Sequence, residues 1–196
     1  MSGVLSDNVG RSGGLVKAAT SSSGLTFINS TDISDAATYA FTAVDASSYD
    51  GYGLFLQNIV PATDQVLLEG RSSSNGGSSY DSGASDYSHG REFWGISGQD
   101  TSDDSILFLQ VGTSYSAGSA ANEPGVSGWI WIFGPHLTGY TTFRAGLVLG
   151  TSDGYIVPFA AAAARLSAAD VDAFQLFYSS GNIETGTITV YGLANS

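Results

Sequence analysis

Residues 49–81, YDGYGLFLQNIVPATDQVLLEGRSSSNGGSSYD, limit what this chain can fold into more than any other stretch. Two apolar runs, 52–60 and 65–71, flank Pro61-Ala-Thr-Asp64, where proline fixes φ and the threonine and aspartate side chains can cap a tight turn. Two strands joined as a hairpin are the expectation. In the first run Leu54, Leu56 and Asn58 point to one side and Phe55, Gln57 and Ile59 to the other; in the second, Val66 and Leu68 oppose Leu67 and Glu69. One face is apolar through its centre and the other only in part, as in a sheet packed on a second sheet. The tail at 72–79, all Ser, Gly and Asn, is too poor in packing side chains for a ladder and reads as a surface loop.

The same texture continues on both sides. Residues 25–29 and 38–44 read as strands, the second with Tyr39, Phe41 and Ala43 opposite Thr38, Ala40, Thr42 and Val44. A strand at 88–97 puts Phe93 and Trp94 on opposite faces; a turn at 98–105, an apolar strand at 106–111 and a small-residue stretch at 112–127 follow, with a turn at Pro124-Gly125. Residues 128–133, GWIWIF, set Trp129, Trp131 and Phe133 on one face and Ile130 and Ile132 on the other. Neither face suits water, so either a long loop or another subunit is expected to cover the second one. Residues 140–150 and 155–165 pair around Thr151-Ser-Asp-Gly154, a hairpin signal. The alanines at 160–164 have helical propensity, but Pro158 and the shortness of the run favour a flat strand that another backbone could approach closely. A connection at 167–172, with room for one helical turn, leads to strands 174–179 and 184–192 around Ser180-Gly-Asn182. About ten or eleven short strands with Gly/Asn/Asp turns indicate an all-β fold, an antiparallel jelly-roll-like β-sandwich.

At 196 residues the chain suits one such domain, 25–196, preceded by an extended N-terminal arm, 1–24. The arm carries isolated apolar pairs, Val4-Leu5 and Leu15-Val16, and two of the six basic residues, Arg11 and Lys17. It is either a frayed terminus or a segment that orders against a neighbouring subunit, with the pairs as anchors and the cations toward an acidic partner. A net charge of −12 argues against a nucleic-acid partner, which needs cations to replace counterions. With no cysteine, disulfides and thiol chemistry are excluded. No run of about 18 apolar residues and no charged segment leading into an apolar one is present, so neither a membrane span nor a Sec-type signal is expected. Asn29-Ser30-Thr31 matches a glycosylation sequon that has no meaning without secretion.

Residues that could carry chemistry are scattered. His89 and His136 lack a second ligand at zinc spacing, and no Gly-x-Ser-x-Gly elbow accompanies the many serines. Asp100, Asp103 and Asp104 could offer oxygens to a hard cation or simply be a solvated turn. Asp81, Asp86 and Glu92 would act on a glycosidic bond only if the fold set two of them about 5 to 9 Å apart in a cleft. No phosphate-binding glycine loop opens a helix. Tyr49, Tyr52, Tyr80, Tyr87 and Tyr115 lie near expected loops and suit sugar stacking, subunit contact or strand-end packing. No catalytic residue, metal site or cofactor is expected.

Three segments together carry a resemblance: 47–52 (SSYDGY) through 58–64 (NIVPATD), then 74–81 (SNGGSSYD), then the end, 179–192 (SSGNIETGTITVYG). Over roughly 25–192 the chain resembles a family of small jelly-roll virion proteins of tailed bacteriophages; the Gly/Ser-rich leader is a departure from that pattern. The resemblance implies a capsid cement (decoration) protein or a tail-associated structural protein, without enzymatic activity, made in the host cytoplasm and carried on the outer surface of the capsid. Its partners would be the major capsid protein and itself, as a homotrimer at three-fold positions, and neither nucleic acid nor membrane. The interface residues expected are Trp129, Trp131, Phe133, Ala161 and Ala163 between protomers, with Val4, Leu5, Arg11, Leu15, Val16 and Lys17 of the arm reaching along the shell. The rival is a tail-fibre or tail-tip domain that binds host glycan through loop aspartates and tyrosines, Tyr80 and Tyr87 among them.

Overall fold

The structure, a computed structural model, describes residues 24–45, 48–93, 102–105, 107–108 and 116–194. Among these are twelve strands and no helix. They are β1 (Leu25–Ala36), β2 (Tyr39–Phe41), β3 (Tyr49–Pro61), β4 (Leu68–Ser73), β5 (Tyr87–Phe93), β6 (Ser102–Asp104), β7 (Leu107–Phe108), β8 (Val126–Phe133), β9 (Thr142–Gly150), β10 (Ile156–Arg165), β11 (Ala173–Tyr178) and β12 (Ile183–Ala194). Eight form one sheet in the order β1-β12-β3-β8-β9-β10-β5-β6, and four form a second in the order β2-β11-β4-β7. Every pairing is antiparallel, and the two sheets pack as a β-sandwich.

The two-residue period fills the space between the sheets. β9 sends Phe143, Ala145, Leu147 and Leu149 inward, and β10 sends Val157, Phe159, Ala161 and Ala163. Opposite them lie Phe41, Leu68, Phe174 and Leu176 of the smaller sheet. Phe143 and Phe174 stack across the gap with ring centroids 5.7 Å apart. The alanine run is a strand, because its alternate members line this core. The Asp-Gly turn also forms as expected: the Gly154 N–H donates to Thr151 O at 2.9 Å, and Gly154 takes the positive φ of 80° that the turn demands.

Pairing departs from expectation at the central segment. β3 and β4 are not a hairpin: β3 lies between β12 and β8 of the larger sheet, and β4 between β11 and β7 of the smaller. Pro61 and the following turn carry the chain from one sheet to the other. β11 and β12, also adjacent in sequence, part in the same way. The alternation in β3 breaks at Asn58, whose φ is 51°; the register with β8 shifts between Leu56 and Ile59. A bulge there turns Ile59 inward, on the same side as Leu54 and Leu56, and leaves Asn58 outside. The serine tail is only partly loop: Ser72 and Ser73 end β4 and are buried. Ser73 Oγ accepts the N–H groups of Asn75 and Gly77, which shapes the turn that follows. Residues 167–172 contain no helical turn.

Buried tyrosines tie distant segments together. Tyr178 of β11 donates to Ile59 O of β3 at 2.6 Å, crossing between the sheets. Tyr87 of β5 accepts the Ser72 N–H of β4 at 2.8 Å, a second crossing. Tyr52 donates to Asp45 O at 2.9 Å and accepts the Asp45 N–H, which fastens the segment after β2 to β3. Each places its ring in the core and satisfies its hydroxyl there, so burial stabilises without an orphaned polar group. Arg165 closes the end of β10 in the same manner: its Nε donates to Asp81 Oδ2 at 2.6 Å, with further bonds to Ala169 O and Ser74 Oγ.

Candidate functional site

The outer face of the larger sheet carries most of what the core does not use. Register sets three rows across it from β1 to β10. The first is Leu25, Leu193, Gly51, Phe133, Thr142 and Ala164; the second is Phe27, Tyr191, Gly53, Trp131, Arg144 and Ala162. The third is Ser30, Thr189, Phe55, Trp129, Gly146 and Ala160. Each tryptophan has a glycine beside it on a neighbouring strand, Gly53 for Trp131 and Gly146 for Trp129. This is how the sheet accommodates large rings on a flat surface, because each indole lies where its neighbour has no side chain.

Trp131 leans over β3: a Cβ at Gly53 would sit 3.0 Å from its Cη2. Trp129, two residues earlier, leans the opposite way over β9, where a Cβ at Gly146 would lie 2.5 Å from its Cζ2. Other rings stand against these. Phe55 meets Trp131 at an interplanar angle of 78° and Tyr191 at 85°, while Phe27 meets Tyr191 at 75°. Phe133 instead lies nearly parallel to Trp131, at 20° with centroids 6.1 Å apart. The result is an aromatic band over β1, β12, β3 and β8 with a floor, Trp131 and Phe133, and a wall, Phe55. It is open: Phe27 is 58% exposed, Phe133 42% and Phe55 37%. Among the described residues no segment covers it, so of the two covers expected, a loop of this kind is not found there.

Arg144 is the single charged residue in the three rows, and it pairs in register with Trp131. It is exposed and has no ion-pair partner among the described residues.

The expected interface residues divide. Trp129, Trp131 and Phe133 do share the outer face, as their spacing predicts. Ala161 and Ala163 do not: both are buried in the core, and the alanines on the outer face are Ala160 and Ala162, one position out of phase. The sequence has no signal to choose the phase, since every residue of 160–164 is alanine. Val4, Leu5, Arg11, Leu15, Val16 and Lys17 lie outside the described residues. So do Asp100 and Tyr115, and the side chains of Glu92, Asp103 and Asp104 are not described either.

The remaining candidates serve the fold. Tyr87, expected at a loop, is fully buried and cannot stack on a sugar; Tyr52 is buried too, while Tyr80 and Tyr49 are half-buried. Asp81 is held by Arg165, and Asp86 accepts the Gly83 N–H at 2.5 Å. His89 is buried in β5; His136 lies in a turn with its Nε2 3.9 Å from Asp50 Oδ1. No group of three metal-ligating side chains forms among the described residues. An open cleft of about 660 Å³ lies between the bulge of β3 and the 119–124 turn. It contains Glu123 and Glu184, but Glu123 is engaged by the Ala120 N–H at 2.8 Å.

The aromatic face escaped the sequence reading in part because Phe27, Phe55 and Tyr191 come from strands far apart in the chain. Only the local half of the signal, GWIWIF, was readable. No family model, curated protein or solved structure matches the chain.

Proposed function

We propose that this chain is a bacteriophage virion structural protein, a capsid cement (decoration) protein that stabilises the head through the outer surface of the major capsid protein lattice and acts without catalysis. The observation that carries the reading is the open aromatic band on a rigid eight-stranded sheet. A patch of this kind on a chain with charge −12 is an adhesion surface, since solvent alone does not favour several exposed rings side by side.

A jelly-roll reading of the sandwich is supported by strand order. With β5, β6, β9 and β10 treated as insertions, the sheets become β1-β12-β3-β8 and β2-β11-β4-β7. First strand then pairs with last, second with second-last, and so inward, alternating between sheets, as when one long hairpin is rolled up. Gly24, where the proposed arm would join, lies at the β1 edge beside the aromatic band, its carbonyl accepting the Ala194 N–H, a position that suits attachment through the arm. Three copies around a three-fold axis would bury the band between protomers and leave the arms to reach along the shell. Many copies make modest contacts sufficient.

Purified virions test this: a stained gel should show hundreds of copies per particle, and deletion of residues 1–24 should leave a folded domain that no longer decorates heads. A chain absent from particles, or decoration unchanged by the deletion, would refute the corresponding half of the proposal. A second reading, a tail-fibre or tail-tip domain that binds host glycan, is favoured by one observation, the Trp131 floor with Arg144 beside it.

A further inference from the structure

We infer that the corner made by Trp131, Phe133, Phe55 and Arg144 is a binding site for one acidic pyranose, free or at the end of an oligosaccharide. The inference rests on the second, glycan reading, in which this corner stays open to solvent and is not buried between protomers, and it names the class of sugar. A six-membered sugar ring has an apolar C–H face and a polar rim, so it needs a flat apolar floor, a wall that sets its lateral position and donors at its edge. Trp131 and Phe133 are near parallel and supply the floor; Phe55, at 78° to the indole, supplies the wall. The indole leans toward β3 over Gly53, away from β9, so the β9 side of the floor is bordered by Arg144 and Thr142, both exposed.

Charge selects among sugars. Arg144 is the single charged residue in the three rows and has no ion-pair partner among the described residues, so it is free to receive a carboxylate in the two-pronged geometry that guanidinium favours. The chain as a whole carries −12, which repels a long polyanion and leaves room for a single carboxylate held locally. The same balance disfavours a nucleobase, which would bring a phosphate chain with it. A protein surface rich in carboxylates is the other occupant the charge would accept. It fits less well, because Phe55, Tyr191 and Phe27 stand at steep angles to their neighbours and break up the flat apolar area, which is confined to Trp131 and Phe133.

Intrinsic tryptophan fluorescence and saturation-transfer NMR on the full chain, titrated with galacturonic acid trimer and with its neutral galactose counterpart, test the site. The acidic trimer is expected to bind and the neutral one to bind about tenfold more weakly, the worth of one charge-assisted pair at an exposed site. Arg144→Gln should remove that difference while leaving the melting temperature unchanged, and Phe55→Ala should weaken both sugars. Equal binding of the two trimers by the wild type, or acidic binding untouched in Arg144→Gln, would overturn the acidic assignment and leave the glycan reading intact. If the folded wild type binds neither trimer, inference and glycan reading fall together, and the face is left to protein contacts.

Discussion

Gly128 is where the aromatic face and the core depend on one backbone position, and Gly128→Ala puts a number on that dependence. Its φ is 139°, which L side chains rarely adopt, and a Cβ there would press on Gly146 O and lie 2.9 Å from Leu147 Cα. Both atoms belong to the backbone of β9, so no rotamer change relieves the clash; β8 and β9 must separate or Gly128 must change conformation. Strain of about 1–3 kcal/mol for the disfavoured backbone adds to about 1–3 kcal/mol for overpacking. A loss near 4 kcal/mol, and about 8–16 °C in melting temperature for a domain of this size, is expected. Gly53→Ala is the control. Its Cβ would meet only the rim of the Trp131 ring, at 3.0–3.3 Å, and a half-exposed indole can shift by a few tenths of an ångström. Alanine also recovers about 0.5–1 kcal/mol of the backbone entropy that glycine costs in a strand, so this variant should stay within about 1 kcal/mol of wild type. Thermal and urea unfolding followed by circular dichroism compare the two. If Gly128→Ala melts with the wild type, or Gly53→Ala loses as much as Gly128→Ala, backbone approach between β8 and β9 is not what requires glycine at 128.

Asp81→Asn should destabilise by about 2–4 kcal/mol in urea unfolding, because it strips the carboxylate from Arg165, which is 3% exposed, and leaves that guanidinium buried without its counter-ion. Adding Arg165→Met to Asp81→Asn should recover part of the loss; no recovery would mean that the bonds to Ala169 O and Ser74 Oγ matter more than the charge. Alkaline pH should weaken the fold in a defined window. Burial pushes the Tyr87 hydroxyl up to about 12, offset in part by its bonds to Ser72, and burial likewise pushes Tyr39 and Tyr52 up to about 12. The unfolded chain ionises these groups near their ordinary value of 10. Their contribution is therefore complete below pH 10 and lost as the pH rises through 12. Tyr87→Phe should be less stable than wild type at pH 8 and show a shallower decline above pH 10; parallel curves would remove Tyr87 from the account.

Local patterning was enough for most of the strands, though β6 forms inside the 98–105 segment that reads as a turn and β1 runs to Ala36, beyond the 25–29 expected. The Asp-Gly turn between β9 and β10, the inward pair Tyr39 and Phe41 and the two-faced GWIWIF strand are all set by neighbours within a few residues, where side-chain period and turn geometry act. Partnership was not readable there. Pro61-Ala-Thr-Asp64 looks like a hairpin turn because a chain crossing between packed sheets reverses direction with the same residues as one returning to its own sheet. What separates the cases is whether β12 and β8 already flank β3, and both lie far away in sequence.

Phase within a strand followed the same division. The bulge at Asn58 turns Ile59 inward because Gly186 on the flanking β12 leaves room for the displaced backbone, a Cβ there lying 2.8 Å from Asn58 O, a fact no stretch of β3 contains. The five alanines carry no preference for a side, so the core packing of Phe159 on one end and Arg165 on the other decides that 161 and 163 point in and 160 and 162 point out. The aromatic band is completed only by this assembly: β8 brings three rings and β1, β3 and β12 one each, and only their registration makes a surface of them. Sequence determined which segments would extend and which residues would seek burial, since those depend on nearest neighbours. Tertiary structure decided which strands met, because that choice balances the whole chain's burial against the entropy of bringing distant segments together.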